Sequence, residues 1–204
     1  MTFSVWLSLF TVCLLGAMSP GPSLAMVAKH SLAGGRANGL ATAWAHAIGI
    51  GFYAFITITG LSVLLVQAPM VFKGITLLGA LYLAYLGWNA LRSKGGVVEK
   101  LEKGEQASLL QATKEGLMIS LLSPKIMVFF TALFSQFVAI ADSLSNQVVI
   151  IATPLLVDGL WYSLITLLLS SPLFIEKIRS KALLIDKLTG IVLIALAIRV
   201  LITL

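Results

Sequence analysis

Residues Gly16–Met26 read GAMSPGPSLAM, with two prolines and a glycine set inside the first long apolar run of the chain. Proline removes a backbone donor and clashes with the preceding turn, so the run is not one straight helix. Ser19 and Gly21, each followed by proline, are pushed toward extended backbone. Gly21 lets the chain change direction, and Pro22 suits the first position of a new helix. The interruption matters most if the run crosses a membrane. There, backbone without partners is tolerated only facing protein or a water-filled cavity.

The composition says that it does. Of 204 residues, 59% are hydrophobic and 11% charged, with a mean hydropathy of +1.02, whereas a soluble domain carries about 25% charged residues. Six runs meet the ~20 residues needed to span hydrocarbon: 4–28, 39–66, 71–91, 116–139, 147–174 and 182–204. The fold expected is all-α and integral to the membrane, with six transmembrane helices. The small residues of GAMS resemble a signal-peptide cleavage site, but no Lys or Arg precedes Lys29, so the first run is expected to be retained.

Basic residues orient the chain. Lys29 and Arg36 follow the first run; Arg92, Lys94, Lys100, Lys103 and Lys114 follow the third; Lys177, Arg179, Lys181 and Lys187 follow the fifth. These hold eleven of the fourteen Lys and Arg residues. The positive-inside rule then makes those loops cytoplasmic and puts both termini outside. The net charge of +6 is a topology signal with an attraction to anionic lipid, and gives no argument for a nucleic-acid partner.

Residues 92–115, rich in alternating Lys and Glu, read as a cytoplasmic linker between a first three-helix repeat (1–91) and a second (116–204). Ser19-Pro20 and Ser123-Pro124 stand 104 positions apart, and Pro69 and Pro172 stand 103 apart. Three spans per half force the second half to insert upside down. Such inverted repeats with broken helices build the substrate sites of secondary transporters. Helices 1 and 4 are therefore expected to be broken at their prolines.

A helix restarting at Pro22 would offer free N–H groups and the positive end of its dipole, which suits a carboxylate. In the second motif, LLSPKIMVFF (Leu121–Phe130), Lys125 would lie ~14 Å into its span. It either snorkels to the interface or faces the bundle interior and meets a carboxylate from a substrate or from Asp158. Asp158, in PLLVDGLWYSL (Pro154–Leu164), has no ionisable neighbour for many positions on either side. It could hold a substrate amine, carry a coupling proton, or neutralise Lys125. Trp161 and Tyr162, three and four residues on, are expected on the same face, where aromatic rings attract an ammonium.

The candidate substrate-binding residues are Ser19, Pro20, Gly21, Pro22, Ser23, Ser123, Pro124, Lys125, Asp158, Trp161 and Tyr162, with Asp158 and His46 as proton carriers. His46 reads equally as a buried histidine satisfied by backbone. Gly49, Gly51, Gly79, Ala80, Ala84 and Gly87 let helices approach closely, within a subunit or across a homodimer. A lone Cys13 makes no intrachain disulfide. Two histidines without clustered carboxylates suggest no metal site, and no nucleotide-binding glycine pattern is present, so no cofactor is expected.

SPGPS in the first run, LYLAYLGWNALRS at the end of the third, SPK in the fourth and LLVDGLWY in the fifth resemble the LysE/RhtB family of amino-acid exporters over essentially the whole chain. The family motifs usually read Gly-Pro-Gly-Pro and Asn-Pro-Lys, and here Ser19 and Ser123 take the first place of each. The resemblance implies a bacterial inner-membrane carrier, not an enzyme, that exports amino acids or small derivatives such as homoserine lactones and is driven by the proton gradient. Metal-ion export, as in the wider superfamily, and a membrane enzyme acting on lipid-linked substrates are the competing readings.

Overall fold

The computed structural model describes residues 1–19, 21–93, 107–169 and 172–203, with backbone alone at 124, 172–179, 182 and 203. Pro20 and most of the expected linker, 94–106, lie outside the described residues. What is described is helical: α1 (Phe3–Met18), α2 (Pro22–Gln67), α3 (Pro69–Arg92), α4 (Leu109–Leu121), α5 (Pro124–Phe134), a 3₁₀ turn (Val138–Ile140), α6 (Leu144–Leu168) and α7 (Pro172–Thr203). Prolines punctuate this order, since Pro22, Pro69 and Pro124 each take a first helical position where a missing N–H costs nothing.

Several boundaries differ from the sequence reading. The first apolar run is divided: α1 stops at Met18, and Gly21 is extended before α2 starts. The first run and the second meet inside 29–38, where Pro22–Gln67 is two helices joined at a kink: Gly35 is not helical, and its φ of 76° is open to glycine at little cost. The fourth run is likewise two helices, α4 and α5, bent by 55° at their junction. The last helix starts at Pro172, ten residues before the apolar run that announces it.

Three helices, α2, α3 and α6, are each long and apolar enough to cross a membrane, and the bent α4–α5 pair makes a fourth. Ile48, Phe52, Phe55, Leu156, Leu160 and Leu164 stand exposed on the outer surface, an apolar belt of the kind that lipid covers. Inside, Leu9, Ile58, Leu83, Leu133, Phe134 and Ile150 form the main core where α1, α2, α3, α5 and α6 meet. Trp6 Nε1 donates to Thr153 Oγ1 at 3.2 Å, tying α1 to α6. Lys29 Nζ and His30 Nε2 both reach Glu115 Oε2 at 3.0 Å, tying α2 to α4, so Lys29 is also a structural ion-pair partner.

Helices α3 and α7 cross glycine on glycine. A Cβ on Gly87 would stand 2.8 Å from the Gly190 carbonyl oxygen, and a Cβ on Gly190 would stand 2.7 Å from that of Gly87. Backbone cannot yield as a side chain does, so Gly190→Ala is expected to lower stability by about 1–3 kcal/mol. Gly74→Ala, with nothing within 4 Å, is expected to be neutral or stabilising by about 0.5–1 kcal/mol. Thermal unfolding of both variants in detergent checks the contrast; equal shifts would mean that the crossing is not tight.

Candidate functional site

Two interrupted helices face each other inside the bundle. At the first, α1 ends with Ser19 N–H bonded back to Leu15 O, and Gly21 precedes α2 with no side chain to cap it. At the second, Ser123 Oγ accepts from Ile126 N–H at 3.3 Å and caps α5. Lys125 follows immediately. Its Nζ lies 3.7 Å from where a Cβ on Gly21 would stand, so the ammonium of one interruption sits against the glycine of the other. Lys125 is half-buried, and among the described residues no carboxylate oxygen lies within 4.0 Å of it.

Asp158 has a different partner from the one expected. Its Oδ2 lies 2.7 Å from Nδ1 of His46, and both side chains are buried. With Asp158 ionised, that contact requires a proton on Nδ1, because a carboxylate only accepts. His46 Nε2 lies 2.9 Å from Ser23 Oγ, in the first turn of α2. Tyr162 packs its ring edge-on against the imidazole, centroids 5.4 Å apart. The chain Ser23–His46–Asp158 thus links the restart of α2 to the middle of α6.

A cavity of about 280 Å³ joins these groups. It is lined by Ser19, Gly21, Pro22, Ser23, His46, Ser123, Lys125, Asp158 and Tyr162 among the residues expected from the sequence. Trp161 is not among them. One residue is about 100° of helix, so Trp161 and Tyr162 cannot share a direction; Trp161 packs beside the cluster of Leu24, Val27 and Ile165. Gly16, Ile50, Ile126, Phe129, Phe130 and Leu193 give the cavity an apolar wall.

The sequence reading missed Asn89, Ser93 and Asp186, which also line the cavity. Asp186 falls inside the sixth apolar run, 182–204, and was not singled out there. The signal available was helical: if the last helix starts at Pro172, Asp186 lies well inside it. Among the described residues no group of three or more His, Cys, Asp or Glu side chains converges as a metal site would require.

These features define an all-helical membrane protein with an internal cavity that carries both charged and apolar groups. The chain belongs to the LysE family: the LysE type translocator description matches residues 14–204, which makes it a membrane translocator. It is 29% identical over 191 residues to an uncharacterized membrane protein of Haemophilus influenzae, covering 91% of this chain and 90% of that one. It is 25% identical over 189 residues to the uncharacterized membrane protein YrhP of Bacillus subtilis, covering 88% and 90%. It is also 29% identical over 141 residues to a leucine efflux protein of an Enterobacter species, covering 67% and 65%. No solved structure gives a significant match.

The His46–Asp158 pair is testable as a pair. Asp158→Leu leaves Nδ1 of a buried histidine without an acceptor and is expected to cost about 1–3 kcal/mol. The double variant His46→Leu/Asp158→Leu, which removes both polar partners, should recover much of that loss. Chemical unfolding of the three proteins measures the coupling; additive losses would show that the contact contributes nothing as a pair.

Proposed function

We propose that this chain is a secondary-active efflux carrier for amino acids or small amino-acid derivatives, coupled to protons through His46 and Asp158. The observation that carries the reading is one cavity holding both Lys125 and a buried histidine–aspartate pair. It combines a group that can grip a carboxylate with a group that can carry a proton. The family assignment and the relative named as a leucine efflux protein support it. The apolar wall beside the charged groups suits an aliphatic side chain.

We place this function on six spans in two inverted repeats. α1 with the start of α2 forms span 1, the rest of α2 span 2, α3 span 3, α4 with α5 span 4, and α6 and α7 spans 5 and 6. Helix pairing supports this. α1 against α6 corresponds to α4 against α2. Gly87 touches Gly190 and Ile194, while Gly190 touches Gly87 and Leu91. These positions match at a constant offset of 103 residues, as a two-fold axis between the halves requires. The positive-inside rule then puts both termini outside, in a bacterial inner membrane, with Ser93 near the cytoplasmic end of its span.

In this mechanism a substrate enters from the cytoplasm, and its carboxylate meets Lys125 and the uncapped amides at the start of α2, including those beside Pro22 and Ser23. With His46 neutral, Nδ1–H donates to Asp158 and Nε2 accepts the Ser23 hydroxyl proton. A proton arriving from outside turns His46 into a donor at both nitrogens. Ser23 must then rotate its own O–H away from the imidazole and toward the cavity. Protonation is thereby transmitted to the interrupted helix, and rocking of the halves exposes the site alternately to each side.

The test is efflux from proteoliposomes loaded in turn with each of a panel of labelled amino acids and with cadmium, with and without an imposed pH gradient. Gradient-dependent release of one or a few amino acids is expected, lost in folded Asp158→Asn. Full coupled transport in that variant would overturn the proton-carrying role. Release of cadmium alone would overturn the choice of cargo.

A further inference from the structure

Asp186 is 5% exposed, about halfway along α7, and lines the same cavity as Lys125. Its only hydrogen bond among the described residues comes from Ser93 at the end of α3, whose hydroxyl donates to Oδ2 at 2.5 Å. A carboxylate in an apolar bundle is costly unless a cation or a full set of donors meets it. One hydroxyl is a partial answer. Asp158, by contrast, is already met by His46. Of the two carboxylates on this cavity, Asp186 is the one left with capacity for a cation.

Lys125 has the complementary deficit. It lines the same cavity as Asp186, yet the two do not close to an ion pair, for no carboxylate of the described residues is within 4.0 Å of Nζ. Two opposite charges that share a cavity without touching leave a gap with a positive and a negative end. An α-amino acid has the matching pair, carboxylate and ammonium on one carbon. Bound between them, it completes both partial ion pairs and directs its side chain along Phe129, Phe130 and Leu193. Asn89 and Thr189, each one turn from Ser93 or Asp186, add polar atoms at the negative end.

We infer that Asp186, positioned by Ser93, is the residue that recognises the substrate's ammonium, with Lys125 taking its carboxylate. The cargo is then an amino acid with both groups free, not an N-acylated derivative. This inference rests on the export reading and separates two tasks: Asp186 reads the amine, and Asp158 with His46 handles the proton.

The experiment is equilibrium binding to the purified full-length chain in detergent. The probes are L-leucine, N-acetyl-L-leucine, its des-amino analogue 4-methylpentanoate and its des-carboxy analogue 3-methylbutylamine. If another standard amino acid binds wild type more tightly, the corresponding analogues of that one are used. Wild type should bind leucine best and N-acetyl-leucine poorly. Asp186→Asn should weaken leucine and 3-methylbutylamine by about 10- to 100-fold, the loss expected for a charged hydrogen bond, and leave 4-methylpentanoate unchanged. Lys125→Gln should give the mirror image. Ser93→Ala, a milder change that serves if Asp186→Asn does not fold, should reproduce the amine-specific pattern at about 3- to 10-fold. A uniform loss for all probes in Asp186→Asn or Ser93→Ala would mark Asp186 as structural. An amine-specific loss in Asp158→Asn in place of Asp186→Asn would overturn the assignment. Wild type that binds no amino acid at all would remove the export reading itself, a result visible before any variant is made.

Discussion

Everything in this architecture follows from the requirement that backbone polar groups inside an apolar bundle find a partner. A helix that stops at Met18 and restarts at Pro22 leaves donors and acceptors that lipid cannot satisfy. They must therefore turn inward, toward protein or a polar space. The second interruption, before α5, is in the same position, and each supplies part of the wall of one cavity. The polar side chains gathered there, Ser19, Ser23, Ser123 and Lys125, are consequences of that exposure. The interruptions create the cavity, and the cavity makes charged groups affordable in the middle of the chain.

The two interruptions are not equivalent, and the difference is chemical. Ser123 bends its own hydroxyl onto the first turn of α5 and closes off one donor. Gly21 has no side chain, so the first turn of α2 stays open. Lys125 projects from the closed interruption onto the open one, which concentrates positive potential at Gly21. Ser23, in the first turn on the open side, is then wired to His46 and through it to Asp158. A change in charge on α6 thus has a short physical route to the helix start where an anion would lie.

Much of this was legible in the sequence, and the exceptions have physical reasons. The prolines marked the interruptions because their effect on backbone is local. The lone Asp158 and the motif Lys125 stood out because a charge in an apolar run has few innocent explanations. Which residues pair was not legible: His46 lies 112 positions from Asp158, and only packing decides that it, rather than Lys125, is the partner. Asp186 was passed over for a related reason: charge density along the sequence, with Lys181 and Lys187 nearby, says nothing about which face of α7 it occupies.

The crossing of α3 and α7 has an implication for how such a chain arose. In the two-repeat layout proposed above, Gly87 and Gly190 take matching places; they touch each other, so on that layout they sit where the axis relating the halves passes. In an ancestor encoding one half alone, two copies meeting in opposite orientations would have brought a single glycine against itself. Any larger residue would have been penalised twice by one mutation, once in each copy. After duplication and fusion the two positions became free to diverge, yet each still meets the other's carbonyl oxygen within 3 Å of where a Cβ would stand. On that layout, the present contact is what a homodimer interface becomes when it is turned into an internal joint.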